Sequence, residues 1–331
     1  MKKILVPWPS QHAESIIPHL EKLASVECYE PRNEAEWIKK IRDVHVLISP
    51  QVENVTEKII YSGQRLEMIQ VFNVGYENID VEAAARKGVL VCNIAEINAE
   101  SVAEMTWALI LALSRHVVEA DRSMRAGEWR KTPYYSSDFM GIELWEKTLG
   151  VIGLGAIGTR VALKGRLAFN MKILIYDPFV HPERAQIVGG KMVNLRTLLK
   201  KSDVISIHCP LTKQTYHLIG EDKLAIMKKS AILINTSRGA VIDEKALIEC
   251  LKNRLIRGVG LDVYEEEPLS SDSPLRELDN VILTPHIASV TEVVDKIFEE
   301  GARNIIRFLK GQRPKRIVNP EALKSGKRDR P

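Results

Sequence analysis

Three polar side chains follow consecutive strand-like runs in the C-terminal part of this sequence. Arg238 lies in LINTSRGAVID, His286 lies in LTPHIAS, and a run of three glutamates between them, 265–267, lies in GLDVYEEEP. A guanidinium can hold a carboxylate or a carbonyl oxygen through two parallel hydrogen bonds, and so orient and polarise a 2-oxo acid. A histidine can give a proton to that carbonyl oxygen, and a carboxylate on its other ring nitrogen stabilises the protonated ring. These residue types indicate a reversible carbonyl reduction on an anionic substrate.

Each of these residues also has an ordinary structural interpretation. An arginine after a strand commonly forms a surface ion pair, a histidine after proline a structural hydrogen bond, and a run of glutamates a solvated turn. The joint arrangement favours chemistry, because α/β sheets bind ligands at the carboxyl ends of their strands. Side-chain alternation cannot be extended into a turn that ends at proline, so the pattern alone leaves open which of Glu265, Glu266 and Glu267 takes part.

A glycine-rich turn provides the second chemical signal. GVIGLGAIGTRVA contains GxGxxG at Gly153, Gly155 and Gly158, after a strand-like run and at the start of a helical pattern. Such glycines permit a tight turn, close approach of a pyrophosphate and close helix–strand packing. Asp177 stands nineteen residues after Gly158, where a carboxylate accepts hydrogen bonds from a ribose diol and repels a 2′-phosphate. The pattern predicts NAD rather than NADP; the alternative is three glycines in ordinary turns with a capping aspartate.

The elements that must position these residues are βα units, because short β-branched runs alternate with helical patterns. The predicted strands are KILVP, HVLIS, MIQVF and GVLVCN in the first hundred residues, then TLGVIG, KILIYD, DVISIHC, AILINT, GVGLDV and VILTP. A long helix is predicted from Ala99 to about Arg125, and a final helix from about Glu292 to Lys310. Six later strands with helices between most of them predict a doubly wound parallel sheet.

The chain length favours two domains. The segment after the final helix can return to the first domain, which makes that domain discontinuous. The predicted bounds are 1–98 with 290–331 for a substrate domain and 99–289 for an inserted NAD-binding domain.

Composition excludes several other classes of protein. The 331-residue chain carries a formal net charge of +4 that is spread along it, apart from a basic tail at 324–331, so no nucleic-acid partner is predicted. The four cysteines form no CxxC pair, which predicts neither a disulfide framework nor a metal site. No signal peptide and no membrane span are predicted, because no apolar run approaches about 18 residues. A cytoplasmic protein with reduced thiols is expected.

The chain resembles the D-isomer-specific 2-hydroxyacid dehydrogenase family over about residues 1–320. The matching motifs occur in the same order: NVGYENIDVEAAARKGV, ESVAE, GVIGLGAIG, YDP, HCPLT, NTSRGAVID, GLDVYEEEP and TPHIAS. The resemblance implies two doubly wound parallel-sheet α/β domains, a Rossmann NAD-binding domain inserted in a flavodoxin-like substrate domain. It also implies reversible hydride transfer between NADH and a 2-oxo acid, giving a D-2-hydroxy acid.

The resemblance assigns the catalytic roles residue by residue. It implies that Arg238, His286 and, of the three glutamates, Glu267 are catalytic, and that Arg238 also binds substrate. Glu265 and Glu266 are then expected to be solvent-side neighbours.

The resemblance also implies the binding residues. The backbone N–H groups of Val74 and Gly75 are expected to hold the substrate carboxylate, a task that needs close backbone approach. Besides the three glycines, the implied cofactor contacts are Val102, Ala156, Ile157, Asp177, Cys209, Pro210, Thr236, Ser237, Arg238, Asp262 (to the nicotinamide carboxamide) and His286 through Ser289. A homodimer joined through the cofactor domain is expected, with the polar, aromatic stretch 127–144 as a dimer arm.

Departures from relatives narrow the substrate. Relatives that act on 3-phosphoglycerate place arginines near the entry of the substrate domain, whereas 48–54 and 71–75 contain none here. Phosphite-oxidising relatives place lysine where Val74 stands, and formate dehydrogenases place glutamine where Glu267 stands. An uncharged pocket is expected, suited to glyoxylate, hydroxypyruvate or a medium-sized apolar 2-oxo acid. The alternatives are phosphoglycerate dehydrogenase-type activity and an NAD(H)-sensing, corepressor-like binding protein.

Overall fold

The structure, a computed structural model, describes residues 1–8, 14–50, 53–94, 96–129 and 139–323. The chain divides into two compact units. The first unit comprises Met1–Asn98 and Thr291–Pro331, and the second comprises Ala99–Val290.

The first unit is built on a five-stranded sheet with strand order β2-β1-β3-β4-β5. All four pairings are parallel, and the order is that of flavodoxin-like doubly wound folds. The strands are β1 (Lys2–Val6), β2 (Ala24–Cys28), β3 (Val46–Ile48), β4 (Met68–Gln70) and β5 (Leu90–Cys92). The helices are α1 (Ile17–Glu21), α2 (Glu34–Ile41), α3 (Glu57–Ser62), α4 (Val81–Lys87) and α12 (Val293–Leu309). Every residue of the three short strands is buried, as expected for parallel strands covered on both faces.

The C-terminal segment closes this unit at the edge strand β5. The fully buried Asn319 accepts a hydrogen bond from the Val91 N–H at 2.8 Å and donates one to the Val89 carbonyl at 2.9 Å. This amide satisfies backbone groups that an uncovered sheet edge would leave unpaired.

The second unit is built on a seven-stranded sheet with strand order β12-β11-β10-β9-β6-β7-β8. All pairings are parallel, and the order is that of a Rossmann fold with one added strand. The strands are β6 (Thr148–Ile152), β7 (Lys172–Tyr176), β8 (Lys191–Met192), β9 (Val204–Ile207), β10 (Ile232–Asn235), β11 (Gly258–Leu261) and β12 (Val281–Leu283). The helices are α5 (Ala99–Arg115), α6 (Val117–Arg125), α7 (Ala156–Phe169), α8 (Glu183–Ile187), α9 (Leu195–Lys201), α10 (Glu221–Leu224) and α11 (Glu244–Lys252). The order reverses between β6 and β9, which is where such sheets bind ligands.

The sequence pattern predicted the fold class correctly and missed three details. Strand β2 was missed because ASVEC carries two polar residues, and β8 because two residues are too few to show a period. The long helix predicted from Ala99 is two helices, since His116 takes a left-handed conformation (φ 52°) between α5 and α6. The final helix is confirmed as α12.

Two predicted features lie outside the described residues: the basic tail at 324–331 and the central part of the proposed dimer arm, 130–138. Within the described parts, none of the helices combines the length and apolarity needed to cross a membrane.

Candidate active site

The glycine-rich turn joins β6 to α7. Its first and third glycines are closely packed, whereas its second glycine faces open space. Gly153 has φ +91°, and a Cβ there would lie 2.8 Å from the backbone of His208 and Cys209. A Cβ on Gly158 would lie 2.0 Å from the Gly153 carbonyl oxygen, whereas a Cβ on Gly155 would meet nothing within 4 Å. The first and third glycines therefore allow close packing, and the second leaves space that a pyrophosphate can fill.

Asp177 follows β7 and holds this turn in place. Its Oδ2 accepts a hydrogen bond from the Leu154 N–H at 2.8 Å, and its Oδ1 accepts one from the Phe179 N–H at 2.9 Å. Each carboxylate oxygen keeps a lone pair for a ribose hydroxyl. Helix α7 starts beyond Gly155 without a side-chain cap, so its first-turn N–H groups suit an anion. These features fit an NAD dinucleotide.

The other predicted cofactor residues of the second unit lie on α5, in the first turn of α7 and after strands β9 to β12. Val102 is buried on α5. Burial raises the pKa of Cys209 to about 11, so this thiol stays protonated at neutral pH. The carbonyl of Pro210 accepts a hydrogen bond from the Thr215 hydroxyl at 2.6 Å. The roles of these residues toward the cofactor remain predictions.

Asn235, the last residue of β10, shapes the turn that carries Arg238. Its Oδ1 accepts hydrogen bonds from the N–H and the hydroxyl of Ser237, at 3.0 and 2.7 Å, and its Nδ2 donates to the Arg238 carbonyl at 2.9 Å. Asn235 is fully buried, so its hydrogen bonds hold the turn against the core of the unit. Sequence reasoning missed this residue, although asparagine before a turn commonly bonds the backbone that follows it.

Glu267 and His286 form a direct pair at the carboxyl ends of β11 and β12. His286 Nδ1 lies 2.7 Å from Glu267 Oε2. The other carboxylate oxygen, Oε1, accepts a hydrogen bond from the Tyr264 N–H at 3.0 Å. Because Nδ1 is engaged by Glu267, Nε2 is the nitrogen left for proton exchange with a substrate.

Asp262 fixes the loop on which His286 stands. This fully buried carboxylate accepts hydrogen bonds from the Thr284 hydroxyl at 2.6 Å and from the N–H groups of Ile287 and Ala288 at 2.9 and 2.8 Å. The resemblance to the family implied that Asp262 contacts the nicotinamide carboxamide. The structure gives it a further task that the sequence did not reveal, because both oxygens already hold the histidine loop.

The charges of the site favour a protonated histidine beside an ionised glutamate. The hydrogen bond that His286 donates to Glu267 raises the pKa of His286 against the opposing effect of burial, and the charge on Asp262 adds to the rise. Burial opposes ionisation of Glu267, but its hydrogen bonds from His286 and Tyr264 outweigh that effect and lower the pKa of Glu267. The two shifts agree in sign with an imidazolium–carboxylate pair.

Arg238 belongs to the same cluster of charges. Its positive charge lowers the pKa of both Glu267 and His286. The next residue, Gly239, packs against the neighbouring loop so closely that a Cβ there would lie 1.8 Å from the carbonyl carbon of Tyr264. The structure therefore brings together the turn of Arg238 and the loop of Glu267.

The three adjoining glutamates are in different environments. Glu266 is exposed, as expected. Glu265 is exposed as well, as expected, but it is also bonded: its Oε1 lies 2.7 Å from His217 Nε2, and its Oε2 accepts a hydrogen bond from the Glu244 N–H at 3.3 Å. Only Glu267 of the three is bonded to His286.

Val74 and Gly75 lie in the first unit, in the loop that follows β4. The Val74 N–H donates to Oδ1 of its neighbour Asn73 at 2.7 Å, and the Val74 carbonyl accepts a hydrogen bond from Asn93 at 2.8 Å. Capture of a carboxylate by this N–H requires the Asn73 side chain to give way. The substrate role of these two residues stays a prediction.

The seven-stranded unit carries a family signature. The model of the D-isomer specific 2-hydroxyacid dehydrogenase family, NAD binding domain, matches residues 107–288, a span that includes the glycine-rich turn, Arg238, Glu267 and His286. The chain belongs to this family. It is an NAD-dependent D-2-hydroxyacid dehydrogenase, an oxidoreductase that interconverts 2-oxo and D-2-hydroxy acids.

Known members of the family match nearly the whole chain. A glyoxylate reductase of Thermococcus litoralis is 41% identical over 321 residues, covering 95% of this chain and 96% of that protein. A D-3-phosphoglycerate dehydrogenase of Methanocaldococcus jannaschii is 43% identical over 321 residues, covering 96% of this chain but 60% of that longer protein. The crystal structure of an Aquifex aeolicus D-lactate dehydrogenase complexed with NAD and lactic acid matches with a TM-score of 0.82 and 32% identity, covering 98% of each chain.

Within the described ranges of this dehydrogenase, no group of three or more histidine, cysteine, aspartate or glutamate side chains is arranged to hold a metal ion.

Proposed function

We propose that this dehydrogenase reduces small 2-oxo acids without a charged side chain, glyoxylate first among them, and that Arg238, Glu267 and His286 are its catalytic residues. One observation carries the proposal: the 2.7 Å hydrogen bond between His286 Nδ1 and Glu267 Oε2, at the ends of adjacent strands. The charge of Arg238 acts on both partners. Such a cluster can bind the carboxylate of a 2-oxo acid and donate a proton to its carbonyl oxygen.

The proposed mechanism assigns one task to each residue. Bound NADH supplies a hydride to the carbonyl carbon of the 2-oxo acid. Arg238 binds the carbonyl oxygen and the adjacent carboxylate, which polarises the C=O bond. As the C–H bond forms, the electron pair of the C=O π bond moves to the oxygen, which takes the proton from His286 Nε2. Glu267 stabilises the imidazolium before the transfer and keeps Nδ1 protonated after it.

The opposite direction uses the same residues in the opposite protonation state. Neutral His286 accepts the hydroxyl proton of a D-2-hydroxy acid at Nε2. Because Glu267 raises the pKa of His286, reduction persists to higher pH than an isolated histidine would permit, whereas oxidation requires pH above that raised pKa.

Two observations support a substrate without a charged side chain. The stretches 48–54 and 71–75 contain no arginine or lysine that could pair with a phosphate. The Thermococcus litoralis relative, which matches this chain over nearly the full length of both, is named a glyoxylate reductase. We further propose that the N–H groups of Val74 and Gly75 bind the substrate carboxylate.

Steady-state oxidation of NADH with a panel of 2-oxo acids tests the substrate. The panel contains glyoxylate, hydroxypyruvate, a branched apolar 2-oxo acid and 3-phosphohydroxypyruvate. We expect kcat/KM for glyoxylate or hydroxypyruvate to exceed that for the phosphorylated compound. The highest kcat/KM for 3-phosphohydroxypyruvate would overturn the proposed substrate and leave the family intact.

The His286→Ala variant tests the catalytic role. We expect kcat to fall by roughly 10²–10⁴-fold, the contribution of general acid–base catalysis. His19→Ala, which removes an exposed histidine of α1 in the first unit, is the matched control and should leave kcat unchanged. An unimpaired His286→Ala enzyme would remove this residue from the mechanism.

We also propose that the enzyme is a homodimer. The segment from the last turns of α5 to β6 carries seven exposed large apolar side chains, namely Leu111, Val117, Met124, Trp129, Phe139, Met140 and Trp145. Apolar side chains gathered along one segment commonly mark a protein–protein interface.

A cytoplasmic location is proposed on the basis of the cysteines. All four are free thiols, although Cys28 and Cys209 are only half-buried. Free thiols persist in a reducing compartment.

A further inference from the structure

A second histidine–carboxylate pair lies beside the catalytic one. His217 Nε2 is 2.7 Å from Glu265 Oε1, and His217 Nδ1 is 3.8 Å from Asp243 Oδ2. The Tyr216 ring stacks on the imidazole with centroids 4.0 Å apart. Glu265 and Glu244 exchange hydrogen bonds, each backbone N–H donating to the carboxylate of the other, at 3.1 and 3.3 Å. The mechanism above uses none of these five residues.

His217 is bonded to both of the loops that carry proposed catalytic residues. The His217 backbone N–H donates to the Ala240 carbonyl at 2.8 Å, and Ala240 is two residues from Arg238. The His217 ring binds Glu265, which is two residues from Glu267. A single residue therefore contacts both the Arg238 turn and the Glu267 loop.

Two carboxylates lie next to the imidazole, and a third is bonded to one of them. Glu265 is at Nε2, Asp243 is near Nδ1, and Glu244 is bonded to Glu265. Because a carboxylate oxygen accepts hydrogen bonds, ring Nε2 is the donor to Glu265. Because Glu244 and Asp243 are anchored at the start of α11, they tie the ring and the Glu267 loop to a regular element.

We propose that His217 is a positioning residue that fixes Arg238 and Glu267 relative to each other. Its backbone holds the arginine turn, and its ring holds the loop two residues before the catalytic glutamate. This inference rests on the proposed catalytic roles of Arg238 and Glu267. Displacing a catalytic group by about 1 Å can cost up to ~10²-fold in rate, so the loss of this link is expected to be visible in kcat.

A matched pair of substitutions isolates the bond to Glu265. In His217→Gln the side-chain amide N–H reaches the place of ring Nε2, whereas in His217→Asn it matches Nδ1 and falls short of Glu265. We expect His217→Gln to keep nearly the full kcat and His217→Asn to lose roughly 10- to 100-fold. The dissociation constant for NADH, measured by fluorescence titration, should be unchanged in both. The alkaline limb of the reduction rate should move to lower pH in His217→Asn only, because a displaced Glu267 no longer supports the protonated His286.

Combination with Glu267→Gln shows whether His217 acts through Glu267. If it does, His217→Asn lowers kcat much less in the Glu267→Gln background than in the wild type. Equal rates and pH profiles for the Gln and Asn variants, or losses that multiply in the double variant, would overturn the proposal. If His217→Asn fails to fold, Glu265→Gln is measured by the same criteria, with the exposed Glu266→Gln as control. A Glu267→Gln enzyme with wild-type activity would instead refute the catalytic roles on which this inference rests.

Discussion

At the scale of single residues, the site depends on a histidine whose backbone is strained and whose ring orientation is fixed. His286 has φ 54°, in the left-handed region that residues other than glycine seldom occupy. The backbone bonds from Ile287 and Ala288 to Asp262 maintain this conformation, and Glu267 fixes the ring. Strained residues gather at functional sites when the surroundings over-determine them.

Replacing Glu267 by glutamine should change both the rate and the pH dependence of the enzyme. The amide removes the negative charge that raises the pKa of His286, so that pKa falls. Since reduction requires the imidazolium, the alkaline limb of kcat/KM for the 2-oxo acid should move to lower pH, and the optimal rate should fall by roughly 10²-fold. The measurement is a pH profile of NADH oxidation.

Glu266→Gln is the control for this prediction, because Glu266 is an exposed neighbour and the carboxylate bonded to His286 is that of Glu267. Its pH profile should coincide with that of the wild type. Identical profiles for the Glu267 and Glu266 variants would show that the wrong glutamate has been assigned.

At the scale of elements, buried polar residues at strand ends shape the loops that carry the catalytic groups. Asn235 shapes the turn after β10, and Asp262 shapes the loop after β12. In both cases one buried side chain satisfies several backbone or hydroxyl donors of the loop.

Asp262→Asn should loosen the histidine loop. The amide nitrogen would face N–H donors that the carboxylate now accepts, so at least one of them is left without a partner. We expect the free energy of unfolding to fall by about 1–3 kcal/mol, and kcat to fall because His286 loses its fixed position. Urea unfolding and steady-state kinetics measure the two effects.

Asp279→Asn is the matched control, because Asp279 is exposed and pairs with Arg254 at 2.6 Å. An exposed pair of this kind contributes little to stability. If the Asp262 variant were as stable and active as the Asp279 variant, Asp262 would not be holding the loop.

The glycine-rich turn has open space at its second glycine. A methyl on Gly155 meets no protein atom within 4 Å, so the melting temperature of Gly155→Ala should equal that of the wild type. A bound pyrophosphate would meet that methyl, and the dissociation constant for NADH should rise roughly tenfold, about 1.4 kcal/mol. Gly220→Ala, with its nearest atoms at 3.8 Å, is the control for both measurements. Unchanged NADH binding in Gly155→Ala would place the pyrophosphate elsewhere.

The sequence predicted most of the strands and helices, but it did not predict the contacts that hold the catalytic loops in place. The strand pattern and the glycine motif predicted the Rossmann sheet, because local composition and chain order determine both. The resemblance to the family singled out Glu267, and the structure bonds this glutamate alone of the three to His286. The pattern could not show that Asp262 and His217 support the catalytic loops, since such contacts depend on how separate strands and loops meet. β8 was missed because two residues carry no period.

At the scale of the whole molecule, the two units differ in what they contribute. The seven-stranded unit contains the whole charged cluster of Arg238, Glu267 and His286, together with the glycine-rich turn. The five-stranded unit contains the loop of Val74 and Gly75. Cofactor binding is therefore expected to be measurable independently of substrate binding. Substitutions in the Val74 loop should change KM for the 2-oxo acid and leave the dissociation constant for NADH unaffected.

Exposed apolar side chains near α6 are expected to join two copies of the chain. Each chain has a mass of 37.3 kDa, and we expect sedimentation equilibrium to give about twice that mass, because burial of apolar surface stabilises association. Charges introduced at the exposed Met124 and Met140, as in the double variant Met124→Asp, Met140→Asp, should convert the enzyme to monomers, because an unpaired buried charge at an interface is strongly unfavourable. Leu167→Asp, which places the same charge at a still more exposed apolar residue of α7, should leave the dimer intact. A wild-type protein that sediments as a monomer, or a double variant that remains dimeric, would contradict the proposed interface.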